Sequence, residues 1–148
     1  MTAYTDSLGF NKGTAGYDAN GLASVSKIAV QLDLAKIIAA RSAAGATALI
    51  ATDSLQVINI PAGSVVLSAG FTVTSVDTGA GAGTGTITLG DGSVTYASTI
   101  AINALGASAA NLANPTIYKN ADTLDVTFGT AMATDLVVTA WAIVADVS

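Results

Sequence analysis

Apolar and polar positions alternate along much of this chain, which is the pattern of β-strands with one buried and one wet face. Residues 26–34 place Ile28, Val30 and Leu32 on one side and less apolar side chains between them. Residues 65–73 show the same alternation. Both segments are therefore predicted to be half-buried strands.

The period changes after the first of these strands. Within "LDLAKIIAARSAAG", four residues recur at helical spacing, namely Leu34, Ile37, Ile38 and Arg41. Asp33 stands where its carboxylate can cap the first turn, and Gly45 stands where a helix commonly ends. A short helix is predicted between these two residues.

Further strand-like segments follow, each rich in β-branched residues and bounded by turn residues. They are residues 55–60, 84–89, 94–99, 124–128 and 136–144. Many short strands at this spacing indicate an antiparallel β-sandwich or barrel, jelly-roll-like and mainly β. The Ala-rich residues 101–113 have no clear period, and both a helix and a loop fit them.

Six glycines lie in "DTGAGAGTGTITLGDGS", residues 77–93. Glycine-rich runs either cradle phosphates or turn chains, but here neither the phosphate-loop spacing nor the dinucleotide spacing is met, and a strand follows instead of a helix. Residues 79–85 are predicted to be a flexible connection. Asp91 and Gly92 stand where a tight hairpin turn needs positive φ.

The first 24 residues differ from the rest, since they lack any helix or strand period. We therefore divide the chain into an extended N-terminal arm, 1–24, and a single β domain, 25–148. Tyr4, Phe10 and Tyr17 are the candidate interface residues, because isolated aromatic side chains suit anchoring in successive pockets. Packing on a neighbour and packing on the arm's own domain both fit; we expect a mobile arm and a domain that folds without it.

The amino-acid composition excludes most common catalytic sites, because the chain has no Cys, His or Glu. Imidazole bases, thiolate nucleophiles and zinc sites built on Cys or His are excluded, so we predict no enzyme, no catalytic residue and no cofactor. Five carboxylates could in principle gather around calcium, but each sits beside a turn and no D-x-D-x-D spacing occurs; they are Asp53, Asp91, Asp122, Asp125 and Asp135. Turn chemistry is favoured over a metal site.

The net charge and the mean hydropathy restrict the kinds of partner that this protein is expected to bind. A net charge of −5 argues against nucleic acid as a partner. The mean hydropathy of +0.62 is high, yet the apolar residues 136–145 span about half of what a membrane helix needs, so no membrane partner is expected. No secretory signal is visible at the start. Few charges and much apolar surface suggest a homo-oligomer, most simply a trimer, within a larger assembly, although abundant Ala also raises the index.

The runs "KIAVQLDLAKIIAARSAAGATALIATDSLQVINIPAGSVVLSAGFTVT", "LGDG" and "ADTLDVTFGTAMATDLVVTAWAIVADVS" carry a resemblance over roughly residues 27–148. They resemble small virion proteins of tailed bacteriophages, especially cyanophages, that are similar to capsid decoration or cement proteins. The resemblance implies a structural protein on the exterior of the phage head, bound to the major capsid protein and stabilising the shell. It transfers no functional residue.

A tail or fibre component that binds a host-surface glycan is the alternative. It would use exposed aromatic side chains such as Tyr96 or Trp141, although the apolar neighbours of Trp141 favour a place in the core. Exposed aromatic residues in a concave site would favour glycan binding, whereas one flat apolar face and an ordered arm would favour decoration.

Overall fold

The computed structural model describes residues 2–14, 25–79, 85–102, 104–111, 116–129 and 131–148. Within these ranges the chain forms one helix and eleven strands. In chain order they are β1 (Ala3–Tyr4), β2 (Gly13–Thr14), β3 (Val25–Asp33), α1 (Leu34–Ala43), β4 (Ser54–Ile60), β5 (Ser64–Ser75), β6 (Thr86–Gly90), β7 (Thr95–Ala101), β8 (Gly106–Asn111), β9 (Ile117–Tyr118), β10 (Asp122–Phe128) and β11 (Val137–Asp146).

The strands form two sheets. The first has the order β1-β4-β10-β6-β7, with β2 also paired to β4, and the second has the order β3-β11-β5-β8, with β9 also paired to β5. Neighbouring strands are antiparallel, except that β1 and β2 run parallel to β4. The predicted mainly β, antiparallel fold with a single short helix is confirmed for the described chain.

The inner faces of the two sheets and one side of α1 enclose a single apolar core. Strand alternation supplies it, since every second residue of β10 and β11 is buried. The largest fully buried side chains come from both sheets and include Tyr96, Phe71 and Phe128. Within the described residues no helix is long and apolar enough to cross a membrane.

Local signals determine the helix and the tight turns. Asp33 caps α1 as predicted, because its Oδ1 accepts the backbone N–H of Lys36 at 3.2 Å. Gly63 and Gly92 both adopt positive φ, at 81° and 86°. The predicted turns between β4 and β5 and between β6 and β7 are confirmed.

The Ala-rich segment was predicted to be a helix or a loop, and that prediction is wrong for residues 106–111. They form β8, which pairs antiparallel with β5. The unpaired backbone groups along β5 supply hydrogen-bond partners that outweigh the weak strand propensity of Ala and Gly. Of the predicted flexible connection at residues 79–85, residues 80–84 lie outside the described residues.

Candidate docking surface

The outer face of the second sheet carries several apolar side chains. Residues opposite each other on neighbouring strands share a face, and one row across the sheet reads Val25, Ala145, Val65 and Ile117. The next row has Ile143 at its centre on β11. Several strands therefore contribute to one surface.

Trp141 lies at the centre of this face, paired with Ala29 on one side and Gly70 on the other. Its indole is only partly buried, and the Lys27 ammonium lies 5.8 Å from its ring centroid, a cation–π distance. The prediction that Trp141 belongs to the core is wrong. The odd-numbered and the even-numbered residues of β11 are both largely apolar, and it is the even-numbered ones that face the core. These are Val138, Ala140, Ala142 and Val144.

Of the seven exposed large apolar side chains among the described residues, three belong to the strands of this sheet, and the other four are Ile38, Ile50, Leu105 and Val147. Val25 is 65% exposed, Ile117 is 53% exposed and Leu67 is 41% exposed. Leu67 projects where β5 shifts register against β11, beside Ile143. We call these three residues, together with Trp141 and Ile143, the apolar face. Exposed apolar side chains grouped on one sheet are a feature of protein-binding sites.

The outer face of the first sheet has a different chemistry, since it is lined with hydroxyl groups. Its outward residues on β6 and β10 include Thr86, Thr88, Thr123 and Thr127, with the carboxylate of Asp125 among them. Burial raises the pKa of Asp125, although the Thr123 hydroxyl opposes this. The outer face of the second sheet also carries hydroxyl groups, from Thr72 and Thr139, beside its apolar side chains.

The described part of the N-terminal arm packs on its own chain. β1 and β2 extend the first sheet along β4. The Asp6 carboxylate pairs with the Arg41 guanidinium at 2.7 and 2.8 Å, and Arg41 also donates to the Thr47 carbonyl. The expectation of a mobile arm therefore does not hold for residues 2–14, because the free edge of β4 and the buried Arg41 offer it partners.

The candidate interface residues of the arm lie in different surroundings. Tyr4 packs against the core with the Arg41 guanidinium 4.1 Å over its ring, and burial followed by the nearby Asp53 carboxylate raises the pKa of its hydroxyl. Phe10 also packs against the core, whereas Tyr17 lies outside the described residues. A role for these three residues in binding a partner stays a prediction.

A chain of hydrogen bonds joins the two sheets at the β6–β7 turn. The Tyr118 hydroxyl donates to Asp91 Oδ2, and the Tyr96 hydroxyl lies 2.5 Å from that of Tyr118. Tyr96 is 2% exposed and so is not the exposed aromatic residue that glycan binding would use. The cavity beside these hydrogen-bonded side chains has a volume of about 180 Å³, which is below the range usual for ligand pockets.

Asp53 and Asp91 serve the backbone, as predicted for turn carboxylates, whereas Asp125 lies within β10 and accepts from the Thr123 hydroxyl. Asp53 accepts the N–H groups of Thr2 and Ile50, and Asp91 Oδ1 accepts those of Ser93 and Val94. In the described part of the chain no three carboxylates gather as metal ligands would. The apolar face was not predicted from the sequence. Its signal in the sequence is that the odd-numbered and the even-numbered residues of β11 are both largely apolar.

The comparisons with known proteins rest on structure. No family model and no curated protein matches the sequence. The fold is similar to that of a chain in the cyanophage Pam1 capsid asymmetric unit, with a TM-score of 0.53, 21% identity, and coverage of 90% of this chain and 91% of that one. A chain in the capsid of Ralstonia phage GP4 gives a TM-score of 0.49 at 14% identity, over 90% of both chains. The Pam1 similarity establishes a shared fold.

Proposed function

We propose that this protein is a structural component of a phage virion, a decoration or cement protein that binds the outside of the head and stabilises the shell. The observation that carries the proposal is the shared fold with a chain of the Pam1 capsid asymmetric unit, over 90% of this chain. The sequence resemblance to phage virion proteins supports the same assignment independently of the fold. The partner in this proposal is the major capsid protein.

The proposed mechanism is linkage between binding and assembly. A protein that binds the assembled lattice and not the separate subunits makes the lattice more stable by its binding free energy. Several modest contacts within one oligomer add through avidity, so a homotrimer is the oligomer we propose. A net charge of −5 suits a position outside the shell, away from packaged DNA.

The absence of His, Cys and Glu from the sequence supports a role without catalysis. Glycan binding by a tail or fibre component has less support from the geometry. Tyr96 is buried, and Trp141 stands on the outer face of the second sheet. Exposed apolar side chains on one sheet, and an arm whose residues 2–14 pack on the domain, favour decoration.

The test uses phage heads assembled without this protein. Purified protein should co-sediment with the heads and saturate at a fixed number of copies, and decorated heads should release DNA at a higher temperature than bare heads. Light scattering of the free protein should report a trimer. Binding to glycan-bearing host cells, with none to heads, would instead favour the tail or fibre assignment.

A further inference from the structure

We propose that the side chains of Asp77 and Asp135 share one proton at neutral pH, and that the pair is a pH-sensitive latch at one end of the β5–β11 strand pair. Asp77 lies two residues after the end of β5, and Asp135 lies two residues before the start of β11. The latch is a conformational device that the proposed function does not require, so it stands or falls separately.

Each of the two carboxyl groups binds the backbone of the other one's segment. Asp77 Oδ1 accepts the N–H groups of Thr134 and Asp135, at 2.7 and 3.0 Å. Asp135 Oδ1 accepts those of Thr78 and Gly79, at 2.7 and 3.3 Å. Asp135 Oδ2 accepts the Thr78 hydroxyl. The two segments are therefore bound to each other in both directions.

The second oxygen of Asp77 has no such donor. Asp77 is only 2% exposed, and its Oδ2 is buried without a hydrogen-bond partner. No Lys or Arg of the described chain forms an ion pair with it. A buried carboxylate oxygen with neither a donor nor a cation is costly, because its charge has lost its hydration without compensation.

A single proton removes this cost. The carboxyl groups of Asp77 and Asp135 lie within hydrogen-bonding reach of each other. Two ionised carboxylates only accept hydrogen bonds, and at this range they repel each other. A proton on Asp77 Oδ2 makes that oxygen a donor to the Asp135 carboxylate. Asp135 is the member that keeps its charge, since donors from Thr78 and Gly79 already stabilise it.

A metal ion would also compensate the charge, but the surroundings suit a proton better. Calcium takes about six to eight oxygen ligands, whereas in the described chain no three carboxylates gather. The other groups at Asp77 do not titrate near neutral pH. The Thr134 hydroxyl lies 3.5 Å from its Oδ1, and the Ile102 carbonyl accepts its N–H at 2.9 Å. A proton needs neither further ligands nor a cavity.

The latch makes stability depend on pH in a defined direction. An Asp in the unfolded chain ionises near about pH 4, whereas the native pair keeps one proton. Above that pH the native state binds more protons than the unfolded state, so stability falls as the pH rises. Relative to a variant that cannot ionise at position 77, the folding equilibrium constant should fall about tenfold per pH unit while the pair keeps its proton.

The experiment compares Asp77→Asn with Asp53→Asn by urea unfolding at pH 5 and pH 7. The amide of Asp77→Asn keeps the accepting oxygen and places a donor where Oδ2 stood. Its folding equilibrium constant should therefore rise about a hundredfold against that of the wild type between the two pH values. Asp53 is the matched control, because it is 1% exposed and its two oxygens accept from Thr2 and Ile50. Asp53→Asn sets a donor against a donor and should be less stable than the wild type at both pH values.

Infrared spectroscopy at pH 7 tests the proton directly. The wild type should show the C=O stretch of a protonated carboxylic acid, and Asp125→Asn should keep this band, since Asp125 lies in the other sheet. Asp77→Asn should lose it. A spectrum without the band, or a ratio of folding constants that does not change with pH, overturns the inference. Added Ca²⁺ that raises the melting temperature of the wild type, but not of Asp77→Asn, would put a cation in place of the proton and also overturn it.

Discussion

The Tyr118 hydroxyl donates a hydrogen bond to Asp91 Oδ2 over 2.5 Å, and this bond crosses between the two sheets. Tyr118 lies on β9 of the second sheet, and Asp91 lies in the β6–β7 turn of the first. Burial and the bond to Asp91 raise the pKa of Tyr118, so the phenol keeps its proton as a donor. Burial opposes ionisation of Asp91, but bonds from Tyr118 and from the turn lower its pKa.

Replacing Tyr118 by Phe should lower the free energy of unfolding by about 1–2 kcal/mol, because Asp91 and the buried Tyr96 hydroxyl each lose a partner. Urea denaturation measures the change. Ser93→Ala, an exposed substitution in the same turn, is the control and should have little effect. A Tyr118→Phe variant as stable as the wild type would show that this bond does not tie the sheets together.

Removing the partner of Arg41 should cost more than removing an exposed charge. The Arg41 side chain is only 3% exposed, and Asp6→Ala leaves its charge buried without a carboxylate. We expect a loss of about 3 kcal/mol in unfolding free energy. Lys36→Ala removes a side chain that is 77% exposed and should cost about 0.5 kcal/mol or less. Equal losses for the two variants would contradict a docked arm.

Gly9 and Gly45 form a matched pair for testing how closely the arm approaches α1. Both have positive φ, at 84° and 66°, but a Cβ on Gly9 would lie 2.6 Å from the Ile37 Cα, whereas a Cβ on Gly45 meets nothing within 4 Å. Gly45→Ala should therefore cost about 1–2 kcal/mol from backbone strain alone.

Gly9→Ala adds overpacking against a helix backbone, and its total should reach about 3 kcal/mol or more. Limited proteolysis should then cut the arm of Gly9→Ala and spare that of Gly45→Ala. Identical melting curves and cleavage patterns would place the arm away from α1.

Acid should weaken the protein through Asp135. Hydrogen bonds from the Thr78 hydroxyl and then from its N–H lower the pKa of Asp135 to about 2. A lowered pKa means that the ionised form stabilises the fold above about pH 4, and that this contribution is lost as the pH falls toward 2. The wild type should therefore melt higher than Asp135→Asn at pH 7, and the difference should shrink between pH 4 and pH 2.

Asp125→Asn gives the opposite trend and serves as the control for the acid experiment. Since burial raises the pKa of Asp125, its ionised form opposes folding at neutral pH. Its replacement should raise the melting temperature at pH 7 and have less effect in acid. A pH-independent difference between Asp135→Asn and the wild type would rule out the role given to Asp135.

Features that depend on neighbours in sequence were predictable from the pattern alone. The alternation at residues 26–34 became β3, and Asp33 capped the helix because an N-cap needs only a carboxylate at the right offset. Positive φ at Gly63 and Gly92 follows from the shape of a turn a few residues long. These signals are local, so they do not require knowing where the rest of the chain lies.

Features that depend on pairing between distant strands needed the folded chain. Residues 106–111 have little strand propensity, and only the free edge of β5 makes them β8. The arm became part of a sheet because β4 had an unpaired edge and Arg41 a buried charge. Trp141 faces outward because the even-numbered residues of β11 face the core. When both faces of a strand are apolar, the alternation pattern does not predict which face is buried.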